Sequence, residues 1–305
     1  RKLGGMISDE LLISKEKVEL SASICKTDLT SELVGEFPEL QGIMGGYFSA
    51  HQGFDKDISL AITEQYLPIG LDSKVPNKPF SVALSVTDKI DTLVGFFGIN
   101  EKPTSSKDPF ALRRSAIGLL RIIIENKLSI RLRDLINYAI RLYEEQGVET
   151  INEKTEVEVL DFLKERMKNI LKLKNIKTDI IEASISSHTG DNFLDLYKKN
   201  LLMNKYINKD VGINAISSYK RASNITEKAE KEIVGRPDAV LFRTEEEKIL
   251  FEKINEIRKA FTVKESNKDY ENLLIRLSET KQFTDNFFDN VVVNDENQDI
   301  KNNRL

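Results

Sequence analysis

The chain has 305 residues, of which 40% are hydrophobic and 31% are charged, and its formal net charge at pH 7 is -4. This length predicts two or three globular domains, and the net charge argues against a protein that coats nucleic acid indiscriminately. Cys25 is the only cysteine, which excludes an internal disulfide framework and is consistent with a cytoplasmic protein, and no hydrophobic run reaches the roughly 18 residues that a membrane helix needs.

Apolar residues recur at helical spacing along most of the chain. Residues 1–34 read as one helix, which glycine and proline interrupt within 34–40. Further short helices are expected over 41–51 and 58–66, and a strongly apolar helix is expected over 82–97. Strand patterns of period two are few, so the sequence predicts a mainly α fold.

Asp108 and Pro109 predict the start of the next helix. The carboxylate can accept an amide hydrogen of the first turn, and proline needs no donor at the first helical position. Five apolar residues then follow at helical spacing and are expected to face a core. They are Leu112, Ala116, Leu119, Leu120 and Ile123.

The stretch 98–121 also carries a dense group of basic side chains. They are Lys102, Lys107, Arg113, Arg114 and Arg121. From Glu101 to Arg141, nine Lys or Arg stand against four Asp or Glu, a local net charge of +5 on an acidic chain. The lysines and the free amides of the helix start are expected to meet an anion, such as a phosphate-rich partner. The alternative is a solvated helix surface.

The rest of the chain continues the helical pattern, and a polar link over 147–154 predicts a domain boundary. The expected helices cover 128–143, 156–173, 178–186, 193–203, 206–232, 245–263, 268–279 and 283–292.

Residues suited to catalysis are sparse. His51 and His188 are the only histidines, which restricts metal and acid–base chemistry. Asp88 and Asp91 form a carboxylate pair that suits a metal or a proton transfer, and helix capping or ion pairing is the alternative. Cys25 has no histidine partner nearby in sequence, and there is no phosphate-binding glycine loop or zinc spacing. The sequence supplies no complete active site.

Several longer sequence motifs occur along the chain in a fixed order. They are G-E-F-P-E-L-Q-G-I-M-G at 35–45, D-K-I-D-T-L-V-G at 88–95, K-P-T-S-S-K-D-P-F-A-L-R-R at 102–114, K-R-A-S-N-I at 220–225, F-F-D-N-V-V-V at 287–293 and N-R-L at 303–305. Together they resemble the β-subunit family of bacterial heterotetrameric glycyl-tRNA synthetases, and the similarity spans essentially all 305 residues.

The resemblance implies three helical domains. These are an HD-like helical domain over 1–146, a helical linker domain over 147–204, and an anticodon-binding domain of the all-α DALR type over 205–305. It also implies that the family has further domains before residue 1 and completes its last domain after Leu305, so we expect the chain to be a fragment.

The resemblance further implies the function and the partners. The family ligates glycine to tRNA(Gly) in a cytoplasmic α2β2 assembly, where the α subunit carries glycine adenylation and uses ATP and magnesium. The β subunit supplies tRNA recognition. We therefore expect this chain to be a non-catalytic part of an aminoacyl-tRNA ligase that binds tRNA and the α subunit, binds no cofactor itself and contacts no membrane.

In this family the HD-like domain resembles a metal phosphohydrolase in fold but lacks its metal ligands. Lys26 and Asp28 take the place of the His-Asp doublet, and Asp88 or Asp91 takes that of the final aspartate. Because a protonated lysine has no free lone pair for a metal ion, we expect no metal here. This sequence departs from the family at two positions. Gly46 stands where the family has arginine, which removes a potential tRNA contact. Ser105 stands where the family has glycine, which puts the loop conformation in question.

Eight residues are predicted to contact tRNA because guanidinium, ammonium and amide groups pair well with phosphates and unstacked bases. Those expected to contact the tRNA backbone near the acceptor arm are Lys107, Arg113, Arg114 and Arg121. Those expected on the anticodon side are Lys220, Arg221, Asn224 and Arg304. For Arg113 and Arg114, internal salt bridges are an equal alternative.

Two other functions compete with this hypothesis. One is an HD-type phosphohydrolase acting on nucleotides, in which Asp28, His51, Asp88 and Asp91 would gather a metal ion. The other is a non-catalytic helical scaffold for subunit contact.

Overall fold

A computed structural model describes residues 1–148, 150–151, 153–188, 190–227, 235–261 and 269–305. These residues contain fifteen α-helices and no strand, so the predicted mainly α fold is confirmed. They form two compact units, Arg1–Tyr197 and Lys198–Leu305, which we call unit 1 and unit 2. None of the described helices is both long enough and apolar enough to cross a membrane.

Unit 1 begins with short helices. They are α1 (Lys2–Leu11), α2 (Lys15–Ile24), α3 (Glu32–Glu36), α4 (Ile43–His51) and α5 (Lys56–Glu64). The prediction of one helix over 1–34 is wrong because Leu12 adopts a left-handed conformation with φ of 55° and Ser14 caps the next helix by accepting the amide of Lys17 at 3.4 Å. The chain therefore folds back as a pair of packed helices, α1 on α2.

Helix α6 (Pro79–Gly98) forms the centre of unit 1. Its residues are apolar around most of its circumference, which is typical of a helix buried on several sides. Accordingly α1 and α5 pack on it together with three later helices. These are α7 (Leu112–Glu125), α8 (Leu132–Glu144) and α9 (Glu153–Leu173).

The start of α7 differs from the prediction. Asp108 does act as a cap, since its carboxylate accepts the amides of Leu112 at 2.8 Å and Arg113 at 3.0 Å. The helix nevertheless begins at Leu112, because Ala111 takes a left-handed φ of 53° just before it. Pro109 therefore lies outside the helix. The five apolar residues predicted to face the core are all buried, as expected.

Unit 1 continues beyond residue 147. Helix α9 packs on α6, α7 and α8, and α10 (Thr178–Ser187) packs on α9. Ile151 is buried directly against Gly98, where a Cβ atom would lie 2.1 Å from Ile151 Cγ1. The segment 147–197 thus shares the core of the preceding helices, and the three-domain division remains a prediction.

Unit 2 is built around one long helix. Helix α11 (Phe193–Tyr206) contains the boundary between unit 1 and unit 2. Helices α12 (Asp210–Thr226) and α13 (Glu245–Phe261) both pack on α14 (Tyr270–Asn290). Helix α15 (Gln298–Arg304) follows α14. Within the described residues, the two helices expected over 268–279 and 283–292 form the single helix α14, since no glycine or proline interrupts it. Residue 268, where the first was expected to begin, lies outside the described residues. The predicted ends of two other helices, at 232 and 263, lie outside the described residues.

Candidate nucleic-acid interface

The loop before α7 is closed by its own polar groups. Thr104 donates its amide to the carbonyl oxygen of Lys107 at 2.9 Å, and its hydroxyl accepts the amide of Lys107 at 3.1 Å. Arg113 donates to the carbonyl oxygen of Thr104 and lies 4.0 Å from the Asp108 carboxylate. Arg113 therefore holds this loop onto the start of α7. Ser105 in the same loop is exposed and has no positive φ, so the loop does not require glycine there.

Two other basic side chains of 98–121 are also paired internally. Lys102 forms an ion pair of 2.7 Å with Glu158 on α9. Arg121 donates to Glu125 at 2.9 Å and to the carbonyl oxygen of Gly70 at 2.7 Å, and its side chain is only 16% exposed. Both residues tie segments of unit 1 together.

Lys107 and Arg114 differ from these three residues. Both are exposed, and their side chains form no hydrogen bond or ion pair with any residue that the structure describes. The amides at the start of α7 were expected to meet an anion, but those of Leu112 and Arg113 are not free, because the Asp108 carboxylate accepts both. The positive charge available here thus comes from the side chains of Lys107 and Arg114.

Arg114 lies between two cavities. The first has a volume of about 390 Å³ and is bordered by Gly70, Leu71 and Arg113. The second has a volume of about 550 Å³ and is bordered by residues of α6 and α7 and by the segments that follow α2 and α5. Both cavities are also bordered by Pro68, Ala111 and Arg114, so Arg114 is shared between them.

Lys26 lies in the second cavity, at the position that the resemblance compares with a metal-ligating histidine. Its ammonium group pairs with the Asp88 carboxylate, donates to the Tyr66 hydroxyl at 3.1 Å, and lies 4.1 Å from the centre of the Tyr66 ring. Burial lowers the pKa of Lys26, but the Asp88 carboxylate outweighs this and the pKa is raised above its ordinary value. The protonated form of Lys26 is therefore favoured beside Asp88.

The remaining residues of the hypothetical metal set have other contacts. Asp28 is buried, and its Oδ2 accepts the amides of Gly42 at 2.6 Å and Gly45 at 3.2 Å, so it caps α4. Asp91 accepts the Tyr143 hydroxyl at 3.1 Å. Among the described residues, no group of three or more His, Cys, Asp or Glu side chains could hold a metal ion.

Lys89 is a buried lysine that sequence reasoning missed. Its side chain is 3% exposed, and its ammonium group donates to the carbonyl oxygen of Leu67 at 2.8 Å and to the Ser85 hydroxyl at 2.9 Å. Burial lowers its pKa to about 8. Gly118 makes room for it, since a Cβ there would lie 2.8 Å from Lys89 Cε. The available signal was a lysine within the apolar pattern of 82–97.

Gly46 has a packing role in this structure. A Cβ at this position would lie 1.8 Å from Thr63 Oγ1 and 2.9 Å from the carbonyl oxygen of Ser59 on α5. The residue belongs to α4 and is buried against α5. A larger side chain at this position would therefore separate the two helices.

Unit 2 brings three of the predicted contact residues together on α12. Lys220, Arg221 and Asn224 border a shallow groove of about 520 Å³. Arg221 is paired with Asp285 at 2.7 Å and Asp289 at 2.5 Å on α14. The side chains of Lys220 and Asn224 are exposed and have no hydrogen-bonding or ion-pair partner within the described ranges.

Arg304 lies elsewhere in unit 2. Its side chain is 6% exposed and pairs with Glu247 at 2.6 Å and Asp295 at 2.8 Å, and it also donates to the carbonyl oxygen of Val292 at 3.0 Å. Although burial raises the pKa of Glu247, its hydrogen bonds to Arg304 and to two backbone amides outweigh this and lower the pKa below its ordinary value. The guanidinium group thus connects three segments of the unit.

Two family models match the chain. Residues 1–186 match the model described as the glycyl-tRNA synthetase beta subunit, which covers more than half of the chain. Residues 215–305 match the model described as the DALR anticodon binding domain, and these residues lie within unit 2.

Curated proteins named glycine–tRNA ligase beta subunit are similar to the chain over nearly its whole length. The protein from Rickettsia canadensis (strain McKiel) is 42% identical over 286 residues, 94% of this chain and 41% of the relative. The protein from Rickettsia typhi (strain ATCC VR-144 / Wilmington) is 40% identical over 296 residues, 96% of this chain and 42% of the relative. The chain therefore spans about two fifths of the length of these relatives.

Proposed function

We propose, because the chain belongs to the glycyl-tRNA synthetase β-subunit family, that it holds tRNA(Gly) while glycine is ligated to it. In this proposal the α subunit activates glycine with ATP and magnesium within a cytoplasmic α2β2 assembly. This chain supplies RNA contacts and no bond-making group. The observation that carries the proposal is Arg114, which is exposed, has no partner among the residues that the structure describes, and borders two cavities in a locally basic stretch.

The predicted contact residues divide into two groups. Side chains with free hydrogen-bonding capacity can pair with phosphates directly, because such pairing does not break an existing contact. We assign direct contacts in unit 1 to Lys107 and Arg114, and in unit 2 to Lys220 and Asn224. The match to an anticodon-binding domain model supports placing the second pair near the anticodon.

The paired arginines have a positioning role in this proposal. Arg113 closes the loop that carries Lys107, and Arg121 fixes the segment at Gly70 that borders one of the cavities. Arg221 joins α12 to α14, which sets the orientation of the groove in unit 2. Arg304 fixes the end of the described chain.

The test is binding of tRNA(Gly) at several salt concentrations. Combined Lys107→Ala and Arg114→Ala substitutions should weaken binding and reduce the slope of log affinity against log salt by about 1 for each phosphate contact that is lost. The matched control combines Lys172→Ala and Lys174→Ala, which remove the same charge from two exposed lysines at the end of α9. These control substitutions should leave the slope unchanged.

Equal affinities and slopes for all of these folded variants would overturn the assignment of Lys107 and Arg114. If tRNA(Gly) also failed to bind the unaltered chain joined to its α subunit, the scaffold hypothesis would replace tRNA recognition. Combined Lys220→Ala and Asn224→Ala substitutions test the contacts in unit 2 separately.

A further inference from the structure

The 550 Å³ cavity of unit 1 has an exposed apolar wall. Leu29, Ile69 and Phe110 border it, although they are 49%, 56% and 42% exposed. Large apolar side chains at a concave surface are typical of ligand sites, and this volume lies within the roughly 300–1,000 Å³ of small-molecule pockets. The cavity is therefore suited to a flat apolar group.

The Phe110 ring is held in place from one side. It stacks on Phe96 with ring centres 4.1 Å apart and an angle of 23° between the planes. Phe96 itself belongs to the central helix α6. A ring that is fixed by stacking and still exposed can receive a nucleobase, because base-on-aromatic stacking is the usual way in which proteins bind unpaired bases.

Charged groups border the same cavity. The basic ones are Lys26, Lys89 and Arg114, and the acidic ones are Glu39 and Asp88. Lys26 is paired with Asp88, and Lys89 donates to the carbonyl oxygen of Leu67 and to the Ser85 hydroxyl. Arg114 has no such partner in the described part of unit 1. An anion entering the cavity therefore finds one guanidinium group available for forked pairing.

We propose that this cavity binds a single unpaired nucleotide of an RNA, with the base against Phe110 and Ile69 and the phosphate beside Arg114. This inference rests on the proposed function and names the part of the RNA that is recognised. A base within a duplex is stacked on its two faces and paired along one edge, so only an unpaired nucleotide can enter. The apolar wall distinguishes this site from a general phosphate contact.

The probe is a fluorescein-labelled tetraribonucleotide of adenosine, compared with an abasic tetranucleotide of equal charge. The intact adenosine probe should bind the 305-residue chain more tightly, by at least about fivefold for one stacked base. Phe110→Leu, which keeps an apolar side chain but removes the ring, should abolish this preference. Leu173→Ala, a change at an exposed leucine at the end of α9, should leave it intact.

Arg114→Gln should weaken binding of both probes and lower their salt dependence, since it removes the phosphate contact and leaves the wall in place. Photo-crosslinking with a tetranucleotide that contains 4-thiouridine should label the peptide around Phe110 or Tyr66. Thermal unfolding of each variant verifies that it remains folded.

Four results would overturn the inference. These are equal affinity for the abasic probe, no effect of Phe110→Leu in a folded protein, crosslinks confined to unit 2, or equally effective competition by an acidic peptide. If any of them occurred while tRNA(Gly) still bound in a manner dependent on Lys107 and Arg114, the proposed function would stand and only the nucleotide site would fail. If tRNA(Gly) did not bind the assembled enzyme, the proposed function itself would fail.

Discussion

Lys89 donates a hydrogen bond of 2.8 Å to the carbonyl oxygen of Leu67 from within the interior of unit 1. Its ammonium group also has the Ser85 hydroxyl at 2.9 Å, and no carboxylate is within ion-pair distance among the described residues. Burial accordingly lowers its pKa from 10.5 to about 8. An unfolded chain therefore retains this proton over a pH range in which the folded protein has lost it.

This difference predicts a measurable pH dependence of stability. Below pH 8 the folded and unfolded states both carry the proton, and the whole free-energy cost of burying the charge opposes folding. Between about pH 8 and 10.5 only the unfolded state binds it, so the contribution of Lys89 to stability rises with pH. Relative to Lys89→Met, the unaltered protein should gain about 3 kcal/mol across this window. Urea unfolding of both proteins at pH 7.5, 9 and 10.5 would measure it, and parallel curves would contradict the prediction.

Gly46 permits the close approach of α4 and α5. Gly46→Ala should lower the unfolding free energy by roughly 1–3 kcal/mol, because the added Cβ would lie 2.9 Å from the carbonyl oxygen of Ser59. Gly35→Ala in α3 is the matched control, since nothing lies within 4 Å of its Cβ position. That change should be neutral or slightly stabilising. Thermal unfolding compares them, and equal midpoints for the two variants would refute the packing role of Gly46.

The ion pair of Lys26 and Asp88 should be worth more than an ordinary surface pair. The Asp88 side chain is 15% exposed and that of Lys26 is 44% exposed, so the pair lies between the buried and exposed cases. A double-mutant cycle with Lys26→Met and Asp88→Asn should give a coupling energy of about 1–2 kcal/mol. The control cycle uses Lys2 and Glu145, which are 65% and 57% exposed and should couple more weakly because solvent screens both charges. Similar couplings in both cycles would argue against partial burial of the first pair.

Arg304 and Glu247 should govern the acid stability of unit 2. The pKa of Glu247 is lowered in the folded state, so its pairing stabilises the unit above the unfolded pKa of about 4.5 and is lost as the pH falls through the folded pKa. Glu247→Gln should remove this part of the acid transition and destabilise the unit at pH 7. Circular dichroism between pH 7 and 2.5 compares the two proteins. An unchanged acid transition would show that the pair is not coupled to folding.

The same pair distinguishes two roles for Arg304. If Arg304 acts only within the unit, Arg304→Lys should lower stability and leave the affinity of the folded protein for tRNA(Gly) unchanged. A loss of affinity without a loss of stability would instead indicate that Arg304 contacts tRNA directly.

Patterns that depend on neighbours in sequence were predictable. The buried face of α7 follows from apolar residues at helical spacing. The family follows from long sequence motifs that occur in a fixed order. The break at Leu12 was not predictable in the same way, because a leucine rarely adopts the left-handed conformation that ends α1 here. The late start of α7 has a similar cause, since Ala111 is also left-handed, with φ of 53°.

Prediction from sequence has the same limit at the candidate site. Sequence identified a cluster of basic residues. It could not separate Arg114, which is exposed and has no partner in the described part of the chain, from its neighbour Arg113, which holds the loop. Pairing depends on which groups come close in three dimensions, such as the carbonyl oxygen of Gly70 beside Arg121. The burial of Lys89 against a segment more than twenty residues away was hidden for the same reason.

The closed loop at Thr104 and Lys107 has a thermodynamic consequence. Two hydrogen bonds between these residues and a third from Arg113 restrict the backbone before any ligand arrives. Ordering a free loop on binding would reduce its conformational entropy and weaken the affinity. In this chain most of that ordering has already occurred during folding. Calorimetry should therefore show a less unfavourable binding entropy than for Thr104→Gly, whose loop must become ordered in the complex.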